Sequence, residues 1–425
     1  MYALPHQFEF LSDAWLAEAT AWLQREVAQR RPAAPFSLSE RFTDAPAHLG
    51  FPDGVASWSC RSDGVTVETF RTPDPTAEVL VEGDYQSALT WAQRVGVTVP
   101  GAAEAGWREL RHLFGPDAVR VSGRFADREA GTVVALLHDH LGRRTVDNPD
   151  LHHRANRQGV ARHVAEMEQH GFTVLERAIS EAFADELRAA TVDALSAHGV
   201  TSLQWMLYHG RPFELLAQHP LLLTLIDASL GRGAVIGSLS AIRRGPGPGF
   251  IPLHTDYSHV PEPYPEWAMT GVGVWALEDW TEASGPTWVV PGTHRLRRPP
   301  RSGEQVDGGV PIEMPKGSVV FFTEGLWHWQ GERREPGERV TLHWHFNRGI
   351  LRSLEPKTVD PQMRHRNSPR LGEILGEDDW FDKLDGIGRD QVRFAHMQRL
   401  HSFTNRQKAR ILAEAGVSPP AGSGA

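Results

Sequence analysis

From Ala234 to Phe346 the chain is written as short apolar runs broken by glycine- and proline-rich turns, such as Gly245-Pro246-Gly247-Pro248-Gly249 and Glu335-Pro336-Gly337-Glu338. Runs of that length between such punctuation are strands, so the segment reads as an all-β core. The flanks have a different period. His163 to Gln169 and Ser180 to Leu195 repeat apolar residues at helical spacing, the second with Ser180 as its cap, and Gly171 to Leu175 between them reads as a short strand. After Leu351 the helical pattern returns over Asp390 to Leu400 and Asn405 to Ala415, and residues 416–425 read as a disordered tail. Residues 351–415 are thus expected to form a helical extension.

A chain of 425 residues exceeds what one hydrophobic core usually serves, so a second domain is expected. The polar stretch Arg143 to Gln158 marks the boundary. Before it, residues 10 to 30 form a helix capped at Ser12 or Asp13. Three β-rich runs follow (Ser57 to Cys60, Val65 to Phe70, Glu78 to Glu82), then a helix from Tyr85 to Val95, a strand from Val119 to Phe125 and a helix from Thr132 to Leu141. The fold class is α+β, with a small α+β domain over residues 1–145 preceding the β core.

Charge and composition narrow the partners. A formal charge of −9 repels a phosphate backbone, so nucleic acid is not expected. The single cysteine, Cys60, forms no internal disulfide, and the first ten residues lack a signal-peptide pattern. The longest mostly apolar run, Pro220 to Ile226, is too short to span a bilayer. A cytoplasmic protein without membrane insertion, acting on a small molecule, is expected. The oligomeric state is not encoded in any pattern.

His254 and Asp256 are two apart, and in a strand such residues face the same way, so both side chains reach one metal. In a chain with 21 histidines such a pair has little weight alone. His328 follows the strand-like run Ser318 to Phe322 and completes a set of two histidines and one carboxylate. On one face of an octahedron that set leaves three positions open, the arrangement of non-haem iron(II) oxygenases. Beyond the turn at Glu335 to Glu338, a hairpin would bring Arg339 back beside the metal, where its guanidinium fork suits a carboxylate such as that of 2-oxoglutarate. On the strand from Arg339, the residues Thr341, His343 and His345 share its face, and Val340, Leu342, Trp344 and Phe346 form the opposite apolar face.

With these residues in place, residues 160–350 resemble the phytanoyl-CoA dioxygenase family of iron(II)- and 2-oxoglutarate-dependent oxygenases. Five segments match in order: Leu253-His254-Thr255-Asp256, Val274 to Asp279, Ser284 to Arg295, Lys316 to Phe322, and His328 with Arg339 at the family spacing. The resemblance implies a double-stranded β-helix, or jelly roll, with flanking helices. It implies iron held by His254, Asp256 and His328, with 2-oxoglutarate and dioxygen as co-substrates. Arg339 would hold the distal carboxylate, with Gln330, Trp275 and Thr255 around the co-substrate. Gln330 stands where the family often has a smaller polar residue, and the other reading of Trp275 is core packing. Hydroxylation of an unactivated C–H bond, with release of succinate and carbon dioxide, is the usual reaction the resemblance implies; desaturation, ring closure, epimerisation and endoperoxide formation use the same ligand set. Related halogenases replace the carboxylate ligand, which this chain keeps as Asp256.

The segment from Tyr257 to Trp267 follows the metal strand and reads as a pocket wall, so Tyr257, His259, Trp267, Thr287 and His343 are candidate substrate contacts. A sizeable, partly apolar substrate, of the kind found in specialised metabolism, is expected. The first domain's leading helix, strand meander, Val79 to Asp84 stretch and late strand resemble a sterol-carrier-protein-like domain. Two alternatives stand beside the dioxygenase: a cupin-like metalloenzyme, isomerase or hydrolase, that does not use 2-oxoglutarate, and a non-catalytic small-molecule or lipid-binding protein.

Overall fold

The computed structural model describes the chain except residues 1–6, 95–101, 116, 143, 149, 232, 258–259, 305, 355–360, 377–403 and 419–425. The helix expected over Asp390 to Leu400 and most of the expected tail lie outside the described residues. A helix is present over 404–414. The chain divides into two compact units. Met1–Pro149 with Asp360–Leu371 forms the first, and Asp150–Val359 with Gly372–Ala425 the second.

The first unit opens with α1 (Asp13–Arg30), whose N-terminus is capped by the Ser12 side chain accepting from the Trp15 amide. Its buried stripe is Trp15, Ala19, Trp22, Leu23 and Val27. Strands β1 (Phe36–Thr43), β2 (Ala56–Ser62), β3 (Val67–Phe70) and β4 (Val79–Asp84) follow, then α2 (Tyr85–Ala92), α3 (Ala102–Phe114), β5 (Val119–Gly123) and α4 (Arg128–Gly142). The sheet order is β3-β2-β1-β4-β5, with β1 parallel to β4 and the other pairs antiparallel. Of these elements, α3 and the central strand β1 have no counterpart among those expected from the sequence. Glu40 interrupts the apolar alternation of β1, yet its carboxylate is turned inward, where it accepts a 2.6 Å hydrogen bond from Trp58 Nε1.

Burial pushes the Glu40 carboxyl up to about 7, against the pull of the Trp58 hydrogen bond, from an ordinary value of 4.5. An acid whose folded pKa is raised stabilises the fold fully while protonated and loses that contribution as pH rises from the unfolded value through the folded one. Between about pH 4.5 and pH 7 this unit should lose up to about 3 kcal/mol. Glu40→Gln keeps an acceptor for Trp58 and should flatten that slope. Scanning calorimetry at pH 5 and pH 8 checks it: a variant whose melting point falls as steeply as the wild type's would place the pH dependence elsewhere.

In the second unit, a short helix at Leu151–Arg157 is followed by α5 (Ala161–His170), β6 (Phe172–Leu175) and α6 (Glu181–His198, capped by Ser180), then by β7 (Ser202–Leu203) and α7 (Pro220–Leu230). Then come β8 (Val235–Arg244), β9 (Thr270–Ala276), β10 (Thr287–Val289), β11 (Val310–Pro311), β12 (Val319–Thr323), β13 (His328–Gln330) and β14 (Arg339–Asn347). The large sheet runs β6-β12-β9-β14-β8-β7 and the small one β11-β10-β13. Residues 247–254 line the free edge of β13 through bridges Gly247 to Arg333 and His254 to His328. A Cβ at Gly249 would fall 1.8 Å from the Gln330 carbonyl oxygen, so this approach needs glycine. The two sheets are those of a jelly roll.

Register sets which side chains enter the space between them. Thr341 pairs with Ala276 and Ile242, His343 with Val274 and Ser240, and His345 with Val272 and Ser238. These form the interior face, continued by Val320 and Phe322. The opposite face carries Trp275, Leu342, Trp344 and Phe321, and it packs against α7, where Leu222 would lie 3.4 Å from a Cβ at Gly273.

Candidate metal and anion site

His254, Asp256 and His328 come from the 247–256 edge and from β13, and their ligand atoms all lie within 4.8 Å of one another. His254 and His328 exchange backbone hydrogen bonds of 3.0 Å in each direction, which fixes the two imidazoles side by side with ring centroids 4.2 Å apart. Each ring is held by its own segment: His254 Nδ1 donates to the Pro252 carbonyl at 2.8 Å and His328 Nδ1 to the Leu326 carbonyl at 3.0 Å. A carbonyl accepts only, so each ring carries a proton on Nδ1, which leaves Nε2 as the atom turned toward the site. Both Nε2 atoms face the Asp256 carboxylate, at 3.2 and 3.6 Å.

Burial pushes the Asp256 carboxyl up, but the hydrogen bond from His254 and the charges of His328, His345 and His254 outweigh it and hold the group below the usual carboxylate range. His328 is pushed down by burial despite Asp256. An ionised carboxylate and a neutral buried imidazole suit a divalent cation.

Beside Asp256 is a second acid. Glu324 is buried, accepts from His345 Nδ1 at 2.5 Å and from the Thr270 hydroxyl, and its backbone carbonyl receives the Asp256 amide at 3.0 Å. Asp256, Glu324 and His345 also place ligand atoms within 4.8 Å of one another. Sequence reading singled out neither Glu324 nor its pairing with His345, because Glu324 sits in a turn after β12.

Arg339 opens β14 on the interior face, 2% exposed. Its Nη1 donates to the Gly285 carbonyl, its Nε has no partner, and its guanidinium lies 5.0 Å from the centroid of Trp280. Burial lowers it to about 9, with Arg244 adding repulsion, so it stays charged at neutral pH. An orphaned guanidinium nitrogen in the interior is what a site for an anion leaves exposed to its ligand.

The other candidates divide by face. Gln330 and Thr287 are cross-strand partners between β13 and β10 and share the interior face with His328. Gln330 Oε1 accepts from the Phe250 amide at 3.1 Å. His343 also faces inward. Its Nε2 is 2.9 Å from the Thr341 hydroxyl, and burial, His345 and Arg339 push it down to about 3, so it is neutral.

Trp275 belongs to the other face. It packs against His219 and Trp344, with centroids at 5.3 and 6.3 Å, and the tryptophan that meets Arg339 is Trp280. Thr255 lies between two ligands and therefore points away from them; its hydroxyl is 3.0 Å from that of Tyr264. The Tyr257 hydroxyl accepts from the Met269 and Thr270 amides, so this buried residue anchors its loop instead of presenting a polar contact to substrate. Trp267 is 45% exposed with the Arg348 guanidinium 4.7 Å from its ring centroid. His259 lies outside the described residues. The loop is tied down by Glu262 with Arg301 and Glu266 with Arg297.

With this geometry in view, residues 165–340 match the model of the phytanoyl-CoA dioxygenase (PhyH) family, within the 160–350 span read from the sequence. Dioxygenase af480 of Aspergillus fumigatus is 25% identical over 237 residues, 50% of this chain and 75% of that protein. The uncharacterised protein Mb1539 of Mycobacterium bovis is 24% identical over 161 residues, 35% of this chain and 56% of that protein. Among solved structures, HygX from Streptomyces hygroscopicus with nickel and 2-oxoglutarate bound superposes with a TM-score of 0.40 at 13% identity, covering 48% of this chain and 94% of HygX. No helix among the described residues is long and apolar enough to cross a membrane.

Proposed function

We propose that this chain, matched over residues 165–340 by the phytanoyl-CoA dioxygenase family, is an iron(II)- and 2-oxoglutarate-dependent dioxygenase that hydroxylates a partly apolar small molecule. The observation that carries this reading is the convergence of two Nε2 atoms on one carboxylate, inside the same sheet pair that buries Arg339 with an unpaired Nε. His254, Asp256 and His328 would hold the iron, and Arg339 the distal carboxylate of 2-oxoglutarate. Iron held there with 2-oxoglutarate and dioxygen would supply oxidative decarboxylation, with release of succinate and carbon dioxide, and oxidation of an unactivated C–H bond.

The chain's own residues orient the triad. Pro252 and Leu326 hold the imidazoles through their carbonyls, and Glu324 braces the Asp256 segment. Val272, Val274 and Phe322 line the interior near the triad, with the Phe322 ring centroid 4.8 Å from that of His328. Their apolar character supports a partly apolar substrate. For the first unit, the order of leading helix, meander, β4 and late strand β5 supports the sterol-carrier-like reading and an auxiliary role in holding a small molecule.

An anaerobic titration tests the proposal. Iron(II) followed by 2-oxoglutarate should give the weak visible charge-transfer band of the chelate, and air should yield succinate. Absence of both would leave the cupin-like metalloenzyme and the non-catalytic small-molecule or lipid-binding protein as the surviving readings.

A further inference from the structure

Arg339 is not alone at its end of the jelly roll. Arg333 and Arg244 are 5% and 8% exposed. Arg244 is the direct cross-strand partner of Arg339 between β8 and β14, so both side chains leave the same face. Like charges directly opposite one another destabilise a sheet.

One acid faces them. Glu278 lies 3.9 Å from Arg333 Nη1, its Oε1 has no hydrogen-bond partner, and Arg188 of α6 also acts on it. Three buried cations against one carboxylate leave two positive charges unbalanced there among the described residues. Backbone carbonyls partly solvate them: Arg244 donates to Gly331 and Gly247, both at 3.0 Å, and Arg333 to Ser284 and Pro336 at 3.0 and 3.1 Å. Carbonyl dipoles do not cancel a net charge, and the Nε atoms of Arg333 and Arg339 remain without partners.

We infer that Arg244 and Arg333 act with Arg339 as a single cationic well that selects the charge of the co-substrate's far end. On the 2-oxoglutarate reading, on which this rests, Arg339 contacts the distal carboxylate, while Arg244 and Arg333 are positioning residues whose charge makes an anionic terminus obligatory. Discrimination against a 2-oxo acid of equal length with an uncharged end then resides in three charges and not in one fork.

The test uses the full chain loaded with zinc, which binds without redox chemistry, and calorimetry with 2-oxoglutarate and 2-oxopentanoate at fixed ionic strength. Wild type should prefer 2-oxoglutarate. Arg244→Met should weaken 2-oxoglutarate by roughly tenfold or more, as loss of a charge at this range in a buried site predicts, and leave 2-oxopentanoate nearly unchanged. Arg244→Lys keeps the charge without the fork and should retain most of the preference. If the lysine variant behaves like the methionine variant, or if Arg244→Met weakens both ligands equally, Arg244 is only a strut for the loop carbonyls and the inference falls.

Glu278→Gln gives an independent arm should Arg244→Met fail to fold. Removal of the balancing acid should tighten 2-oxoglutarate alone, and no tightening overturns the inference. Loss of the preference in Arg339→Met but not in Arg244→Met sinks the well and spares the dioxygenase. A wild type that binds neither acid sinks both.

Discussion

Asp256→Ala should lose bound iron(II) and, with it, all succinate formation. The triad has one anionic ligand, and its carboxylate faces both Nε2 atoms, at 3.2 and 3.6 Å. Without it, two neutral imidazoles would have to hold a dication unaided. Loss of a residue that merely supports a metal ligand costs about 10–100-fold in affinity, so loss of the ligand itself should exceed about a hundredfold. Equilibrium dialysis with iron(II) or zinc reads this directly. A variant that retains one tightly bound metal per chain would remove Asp256 from the ligand set.

Glu324→Gln should weaken metal binding by about 10–100-fold while leaving its stoichiometry at one. Glu324 holds His345 and Thr270 through its two side-chain oxygens while its main-chain carbonyl receives the Asp256 amide, so weakening the side-chain anchors loosens the segment that carries the ligand. Because Asp256, Glu324 and His345 also converge, stoichiometry decides their role. Two metals per wild-type chain, falling to one in the variant, would make Glu324 a ligand in its own right.

What could be read from the residues follows from spacing. The i, i+2 pair His254 and Asp256, and the alternation along Arg339 to Phe346, require only the two-residue period of a strand, and the structure places all of them on the faces that period dictates. The same rule puts Thr255 on the side away from its neighbours, where its hydroxyl meets Tyr264 and not the co-substrate position expected for it. Trp275 is different. Its face depends on which residue of β14 it meets, and Leu342 as its partner is a matter of register that no local pattern states. Strand β1 went unread because Glu40 occupies an inward position, a polar residue tolerated there through Trp58. Glu324 had no periodic context to mark it.

Strand β14 carries Arg339 near its start and His345 six residues on, both inward, with Trp344 and Phe346 locking its back to the helices. It is therefore a ruler. The separation between the anion end and the metal end is set by a fixed count of residues, and a slip of one would turn the whole polar row toward the helices. A change in the length of this strand would move Arg339 relative to His345, whereas the loops that leave the sheets can vary without moving either.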